Sequence, residues 1–411
     1  MRITSPREAA LAISPNSHVF FPGVCAEPRD FYKEFVNQAP RFDNVTVYSG
    51  ISFGDCPFLK AEGLGQNFRY KTWQVSPAAR RLFKSPDPEK AAYLPIRYSN
   101  LTRTIYRGGP LSPDLVLIQT SLPQDDGTVS LGISVGLQKH LIDQAKIVVA
   151  EFNHHMPVTK GDTKVCLEQI DLAYESDTPL QELPESPPDP QHQKIIEHLM
   201  NLIPHGATVQ LGVGSLPHQI LQRLHEIPRI NLMSGMISSS VQSFMEKARD
   251  NPTIVAGEIA GDQDFYRQLP HLPIELASTR ITHDSASLAN IPKFISIGSA
   301  IAVDLDGQVN GEMIGPHQIS GVGGSMDYIE ASGHSPGGLS IIAMPATSSN
   351  DRFSRIVKRH PVDSCITIPR YGADAVVTEF GIAMLKGKDL NERARALADI
   401  AHPKFRDSLR Q

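Results

Sequence analysis

Cysteine is scarce: four in 411 residues, at positions 25, 56, 166 and 365. None forms a Cys-x-x-Cys pair, which leaves no zinc ribbon and no dithiol redox motif. Reduced thiols in a cytoplasmic protein are the expectation. Long apolar runs are also missing. "LVLI" and "IVVA" are strand-sized, whereas a membrane-spanning helix needs roughly 20 apolar residues. The opening "MRITSPREAALAIS" has no apolar core segment, so neither a signal peptide nor a membrane partner is expected. Charge of one sign is absent as well: 39 basic residues stand against 44 acidic ones, a net charge of −5. Without a basic stripe, nucleic acid is not an expected partner. No Gly-Lys-Ser/Thr follows any glycine loop, and no Gly-x-Gly-x-x-Gly is placed as a dinucleotide fingerprint requires. Neither Ser234 nor Ser238 sits in a Gly-x-Ser-x-Gly elbow of the kind a serine hydrolase uses. His154-His155 are adjacent and so face different ways, which is wrong for chelation; no metal is expected.

The chain is long enough for two domains of about 200 residues each. Its 40% apolar and 20% charged content is that of an ordinary globular protein. Three pairs of segments repeat in order. "HVFFPGVCAEPRDFYKEF" from residue 18 matches "TVQLGVGSLPHQILQRL" from 208, with Pro28 and Pro217 189 residues apart. "LVLIQTSLPQDDGTVSLG" matches "ISIGSAIAVDLDGQVNGE" through the turns Asp126-Gly127 and Asp306-Gly307, 180 apart. "AKIVVAEFN" at 145 matches "LSIIAMPAT" at 339, an offset of 194. Ordered offsets of this size point to two similar halves. Between them, residues 177–193, "DTPLQELPESPPDPQHQ", carry five prolines and read as a solvated linker. The domains are therefore expected at 1–185 and 186–411.

Apolar strand-like runs alternate with helical patterns such as "QKIIEHLMNLI" and "HQILQRLHEI". This predicts an α/β fold, two similar open domains with mainly parallel sheets. Ligands in such sheets sit at the carboxyl ends of the strands, so the loops there matter. Three are glycine-rich: "PGVCAEP" (22–28), "LGVGSLPHQIL" (211–221) and "SGVGGSMDYI" (320–329). Glycine lets backbone N–H groups approach an anion or a developing oxyanion.

These loops, with "LIQTSLPQDDGTVSLGISV", "AKIVVAEFNHHMPVTKGD", "SRIV" and "AVVTEFGIAMLKGKDLNERARALADIAHPKFR", give the chain a resemblance to the acetyl-CoA hydrolase/transferase family over nearly its whole length. The resemblance implies a CoA-transferase-like pair of α/β domains, with the active site in the cleft between them. It implies acyl-CoA as substrate, a carboxylate acceptor and a homo-oligomer. In relatives a glutamate attacks the thioester and carries CoA as a glutamyl thioester, a case of covalent catalysis. By the same resemblance Val213, Gly214, Gly321, Gly323 and Gly324 line the CoA and reacting centre. Glu379, in "TEFG", matches a family glutamate near the site.

The chain departs from that pattern where the nucleophile belongs. A family stretch resembling "HTEMxSDG" corresponds here to "LMSGMISSS", and Gly235 stands where the glutamate should be. Gly298 takes the place of an asparagine, and "ITHDS" replaces a "YVNDP"-like loop, which introduces His283. Lost side-chain volume implies a roomier site. Three groups are candidates for the missing chemistry. Glu258, ending the apolar run "TIVAGEIAG", is a candidate nucleophile or base. His283 is a candidate base for water or a hydroxyl. Ser234, beside Gly235, is a nucleophile only if a base such as His283 serves it. The enzyme readings are CoA transfer, or hydrolysis or acyl transfer with His283 as base. The other reading is an acyl-CoA-binding protein without catalysis.

Overall fold

The structure is a computed structural model that describes residues 1–411 except 85, 186, 349 and 350. The expected domain boundary at Ser186 therefore lies outside the described residues. The chain divides into two compact units. One comprises Met1–Pro184 with Val255–Thr282, the other Glu185–Ile254 with His283–Gln411.

The first unit is built on strands β1 (Arg2–Ile3), β2 (His18–Phe20), β3 (Val45–Ser49), β4 (Phe68–Thr72), β5 (Ala91–Tyr93), β6 (Leu115–Thr120), β7 (Ile147–Asn153) and β8 (Leu172–Ser176). Their order in the sheet is β1-β8-β7-β6-β2-β3-β4-β5, and every pairing is parallel. Every residue of β6 is buried, as a parallel strand covered on both faces must be. Helix α1 (Arg29–Gln38) sets Phe31, Tyr32 and Phe35 against Phe21, with Phe21 and Phe35 edge-to-face at 5.3 Å.

The chain then enters the second unit with β9 (Thr208–Leu211), α2 (Ser215–Leu224) and β10 (Asn231–Ser238). It returns to the first unit through β11 (Ile254–Ala260) and β12 (Ile274–Leu276). The second unit is completed by β13 (Phe294–Gly298), α3 (Ser325–His334), β14 (Leu339–Ala343), β15 (Ala375–Thr378) and β16 (Gly381–Met384). Its strands run in the order β16-β15-β14-β13-β9-β10, parallel except for the β15–β16 hairpin.

The repeat read from the sequence is a repeat of topology. The order β8-β7-β6-β2-β3 in the first unit matches β15-β14-β13-β9-β10 in the second. The three repeated segments are β2 and β9, β6 and β13, β7 and β14.

Two contiguous halves are not what forms, because residues 255–282 bond to the first unit. Ile259 N donates to Ile133 O at 2.8 Å, Leu183 N to Gly261 O at 2.9 Å, and Asp162 N to Leu276 O at 2.8 Å. Strand β12 pairs in parallel with Lys160–Gly161. An apolar strand sequence specifies burial but not which sheet supplies its partner.

Candidate functional site

In the second unit, β10 pairs with β9 only through Asn231 and Leu232. The rest of the strand runs on past the carboxyl end of β9, and Gly235 lies in that extension. His283 sits in the bend that begins this unit's second segment. The next residue, Asp284, caps the short helix Ser285–Leu288 by accepting from Ser287 N at 3.2 Å. Tyr328 comes from α3, directly after the glycine loop 320–324.

These elements converge on one imidazole. His283 Nε2 lies 3.0 Å from Tyr328 Oη, and the two rings are 4.9 Å apart. A Cβ added to Gly235 would fall 2.7 Å from His283 Cε1, 2.8 Å from Nε2 and 2.9 Å from Tyr328 Oη. A Cβ added to Gly324 would meet His283 Cδ2 and Nε2 closer still. Both are inside any carbon contact distance, so the ring is wedged between two glycines. The volume lost at Gly235 is therefore not empty, and on this side the expected roomier site is corrected: His283 fills it. At Gly298, among the described residues, a Cβ would meet only Ile342 Cδ1, at 3.7 Å.

Complete burial pushes the pKa of His283 down to about 3. Burial would strip the charged form of its hydration. The ring is neutral at physiological pH and a weak base, so proton abstraction from water is a poor use for it. As a neutral ring it can still donate or accept a hydrogen bond.

Ser234 is not held as a nucleophile. Its side chain is buried, with Oγ 2.5 Å from Leu211 O and 2.9 Å from Met236 O. The hydroxyl ties the β10 extension to the end of β9.

The glycine loops stand at helix starts, as the sequence suggests. Gly214 precedes α2 with φ +130°, a conformation glycine alone adopts readily, and Val213 is half-buried beside it. Among the described residues no heavy atom lies within 4 Å of a Cβ placed on Gly212 or Gly214. Gly323 has φ +53°, and Gly321 and Gly324 flank it half-buried. Glu379 Oε2 accepts from Ala346 N at 2.8 Å. Its charge acts on Arg355 and on His192, both of whose pKa values are lowered, chiefly by burial.

Glu258 belongs to the other grouping, in the first unit. It is paired with Ser134 across a β-bridge, and a Cβ on Gly136 would overlap its carboxyl, with Tyr98 Oη at 3.3 Å. Oε2 is buried and accepts no hydrogen bond among the described residues. Burial raises the Glu258 pKa to about 8, while Ser134 works weakly the other way. The group is mostly protonated at neutral pH, which removes the negative charge a nucleophilic carboxylate needs.

The structure thus groups Gly235, Gly324 and His283 with Tyr328, a residue the sequence reading missed. Its one visible signal was a polar-tipped aromatic immediately after a glycine loop. Among the described residues no group of three or more His, Cys, Asp or Glu side chains could hold a metal ion, and no helix is long and apolar enough to cross a membrane.

Comparison with known proteins agrees with this architecture. Residues 1–181 match the acetyl-CoA hydrolase/transferase N-terminal domain, and residues 261–411 match the C-terminal domain of the same family. A 4-hydroxybutyrate coenzyme A transferase of Clostridium kluyveri is 33% identical over 417 residues, covering 99% of this chain and 96% of that one. The structure of RipA from Yersinia pestis superposes with a TM-score of 0.92 at 26% identity, over 100% of this chain and 96% of that one. A 4-hydroxybutyrate CoA-transferase from Porphyromonas gingivalis gives 0.82, also at 26% identity and with the same coverage. With both family domains matched and the relationship spanning almost the full length, the chain belongs to the acetyl-CoA hydrolase/transferase family.

Proposed function

We propose that this protein moves CoA between an acyl-CoA and a carboxylate, and that it does so without a protein-bound CoA thioester at residue 235. The observation that carries this reading is the wedging of His283 against Gly235. The place beside the β10 extension holds a neutral imidazole, and residue 235 has no side chain to acylate.

A carboxylate acceptor is itself a nucleophile. Its oxygen attacks the thioester carbonyl carbon, a C–O bond forms, the C–S bond breaks, and CoA leaves as the thiolate. The mixed anhydride so made is attacked by that thiolate at the acceptor's carbonyl. The new thioester forms and the donor acid leaves as a carboxylate. No proton is consumed, so the weak basicity of His283 is no obstacle. The backbone N–H groups of Val213, Gly214, Gly323 and Gly324 fit the charge that develops on the carbonyl oxygen.

The test is to incubate the protein with a panel of acyl-CoAs, with and without carboxylates, and follow free thiol and new thioesters. Acceptor-dependent new thioester is expected, with sequential rather than ping-pong kinetics and no CoA retained on the protein. Free CoA released without an acceptor would replace transfer by hydrolysis, the other activity in the family's description. Binding with no turnover of any acyl-CoA would replace both with a binding protein.

A further inference from the structure

We propose that the apolar slot opened where β10 leaves β9 takes the end of the acyl chain, and that Leu221 and Val209 set how long that chain can be. This rests on the acyl-CoA reading above and names the side chains that select the acyl group: short, aliphatic and uncharged at its tip.

The slot has its cause in the strand register. Parallel pairing of β9 with β10 stops at Val209 and Leu232, although β9 continues to Leu211 and β10 to Ser238. Beyond that pair the strands part. Val209 and Leu211 line the gap from one strand, Leu232 and Ile237 from the other, and Leu221 of α2 closes it. All five are buried. The lining reaches the surface at Gly212, which is exposed, and at Met236, which is half-buried. The enclosed space is about that of one water-sized group.

This lining suits a methyl group better than water. A buried water needs two to four polar partners. The slot has one polar side chain, Ser234, and its hydroxyl is already bonded to Leu211 O and Met236 O. An apolar tip gains from leaving water here. A charged tip would lose its hydration and meet no opposite charge among the lining residues.

The slot also stands beside the reacting centre of the proposed reaction. Gly212 is followed directly by Val213 and Gly214, whose N–H groups fit the charge on the carbonyl oxygen. A carbonyl held there has its chain beginning one bond away, at the rim marked by Gly212. Entering past that glycine, the chain ends against Val209 and Leu221. One methylene too many in an apolar pocket costs about 10- to 200-fold in specificity.

The experiment measures kcat/KM for straight-chain acyl-CoAs, acetyl to octanoyl, with one carboxylate acceptor. In the wild type it should reach a best length and fall at least about 10-fold when the chain grows further. Leu221→Ala shortens the closing wall and should raise the ratio of long to short chains by about 10-fold or more. Val209→Ile adds a methylene to the wall and should lower that ratio by about 10-fold. Leu224→Ala, on the same helix and also buried but outside the slot, should leave it unchanged. A ratio taken on one preparation does not depend on how much of it is folded, so lost stability cannot imitate the result. If Leu221→Ala does not fold, Val209→Ile decides alone. An unchanged ratio in either folded slot variant overturns the inference, and so does an equal shift in Leu224→Ala. Where the wild type turns over acyl-CoA, those outcomes sink only this assignment. If the wild type turns over no acyl-CoA, the functional reading fails and takes this inference with it.

Discussion

Gly235 and His283 exclude one another's growth: a methyl group on the first would lie 2.7 Å from Cε1 of the second. Gly235→Ala should therefore destabilise the protein by about 1–3 kcal/mol, the range for overpacking a filled site. Combined with His283→Ala it should cost much less than the sum of the two single changes, because each makes room for the other. Urea midpoints for the four proteins of the cycle measure this coupling. Strict additivity would show that the two residues do not compete for space.

Glu258 makes stability depend on pH in the direction opposite to most carboxylates. Its folded pKa of about 8 lies above the ordinary value of 4.5. The folded protein thus keeps a proton that the unfolded chain releases, and the benefit is full below the lower value. It is lost as pH rises through the window between the two, at about 1.4 kcal/mol per pH unit. Glu258→Gln should remove this slope and gain on the wild type from pH 5 to pH 9. Parallel stability curves for the two proteins across that range would contradict the burial of an uncompensated carboxyl.

The two duplicated turns differ in what holds them. Asp304 is fully buried and accepts from Asp306 N at 3.1 Å, Gln308 N at 2.9 Å and Gln308 Nε2 at 2.7 Å. Asp126 lies on the surface, bonded to Thr128 and Lys164. Asp304→Ala should cost about 1–3 kcal/mol through stranded N–H groups, whereas Asp126→Ala should leave the thermal midpoint where it is. Equal effects in calorimetry would contradict the anchoring of the second turn by a buried carboxylate.

Ser234→Ala should retain kcat, since the hydroxyl is bonded to Leu211 O and Met236 O. A stability loss of about 1 kcal/mol is expected for the lost bond. A serine nucleophile would instead show an acyl-enzyme burst that this substitution abolishes, so a burst in the wild type would falsify the structural role.

Much of the fold could be read from the chain because parallel strands buried on both faces, such as "LVLIQT" and "KIVVAEF", announce themselves as continuous apolar runs. Their ordered repetition then revealed the two matching sheets. The destination of "TIVAGEIA" could not be read, because partner choice resides in Ile133, Gly136 and the other groups it meets, more than 100 residues earlier. His283 stood out by its departure from the family pattern. Tyr328 did not, since an aromatic on an apolar helix face looks like core until its hydroxyl is placed. The filling of the Gly235 vacancy was equally hidden, because residues 48 positions apart carry no sequence signal of contact.

The double passage of the chain between its units has a consequence for synthesis. When residue 184 leaves the ribosome the first unit still lacks β11 and β12, which arrive only after about 70 residues of the second unit have been made. The first unit cannot finish folding before the second has begun. A fragment cut at the linker would leave Ile133 O, Leu183 N and Asp162 N without the partners that residues 255–282 supply. The proline-rich linker marks a change of unit, but it is not a place where the molecule can be divided.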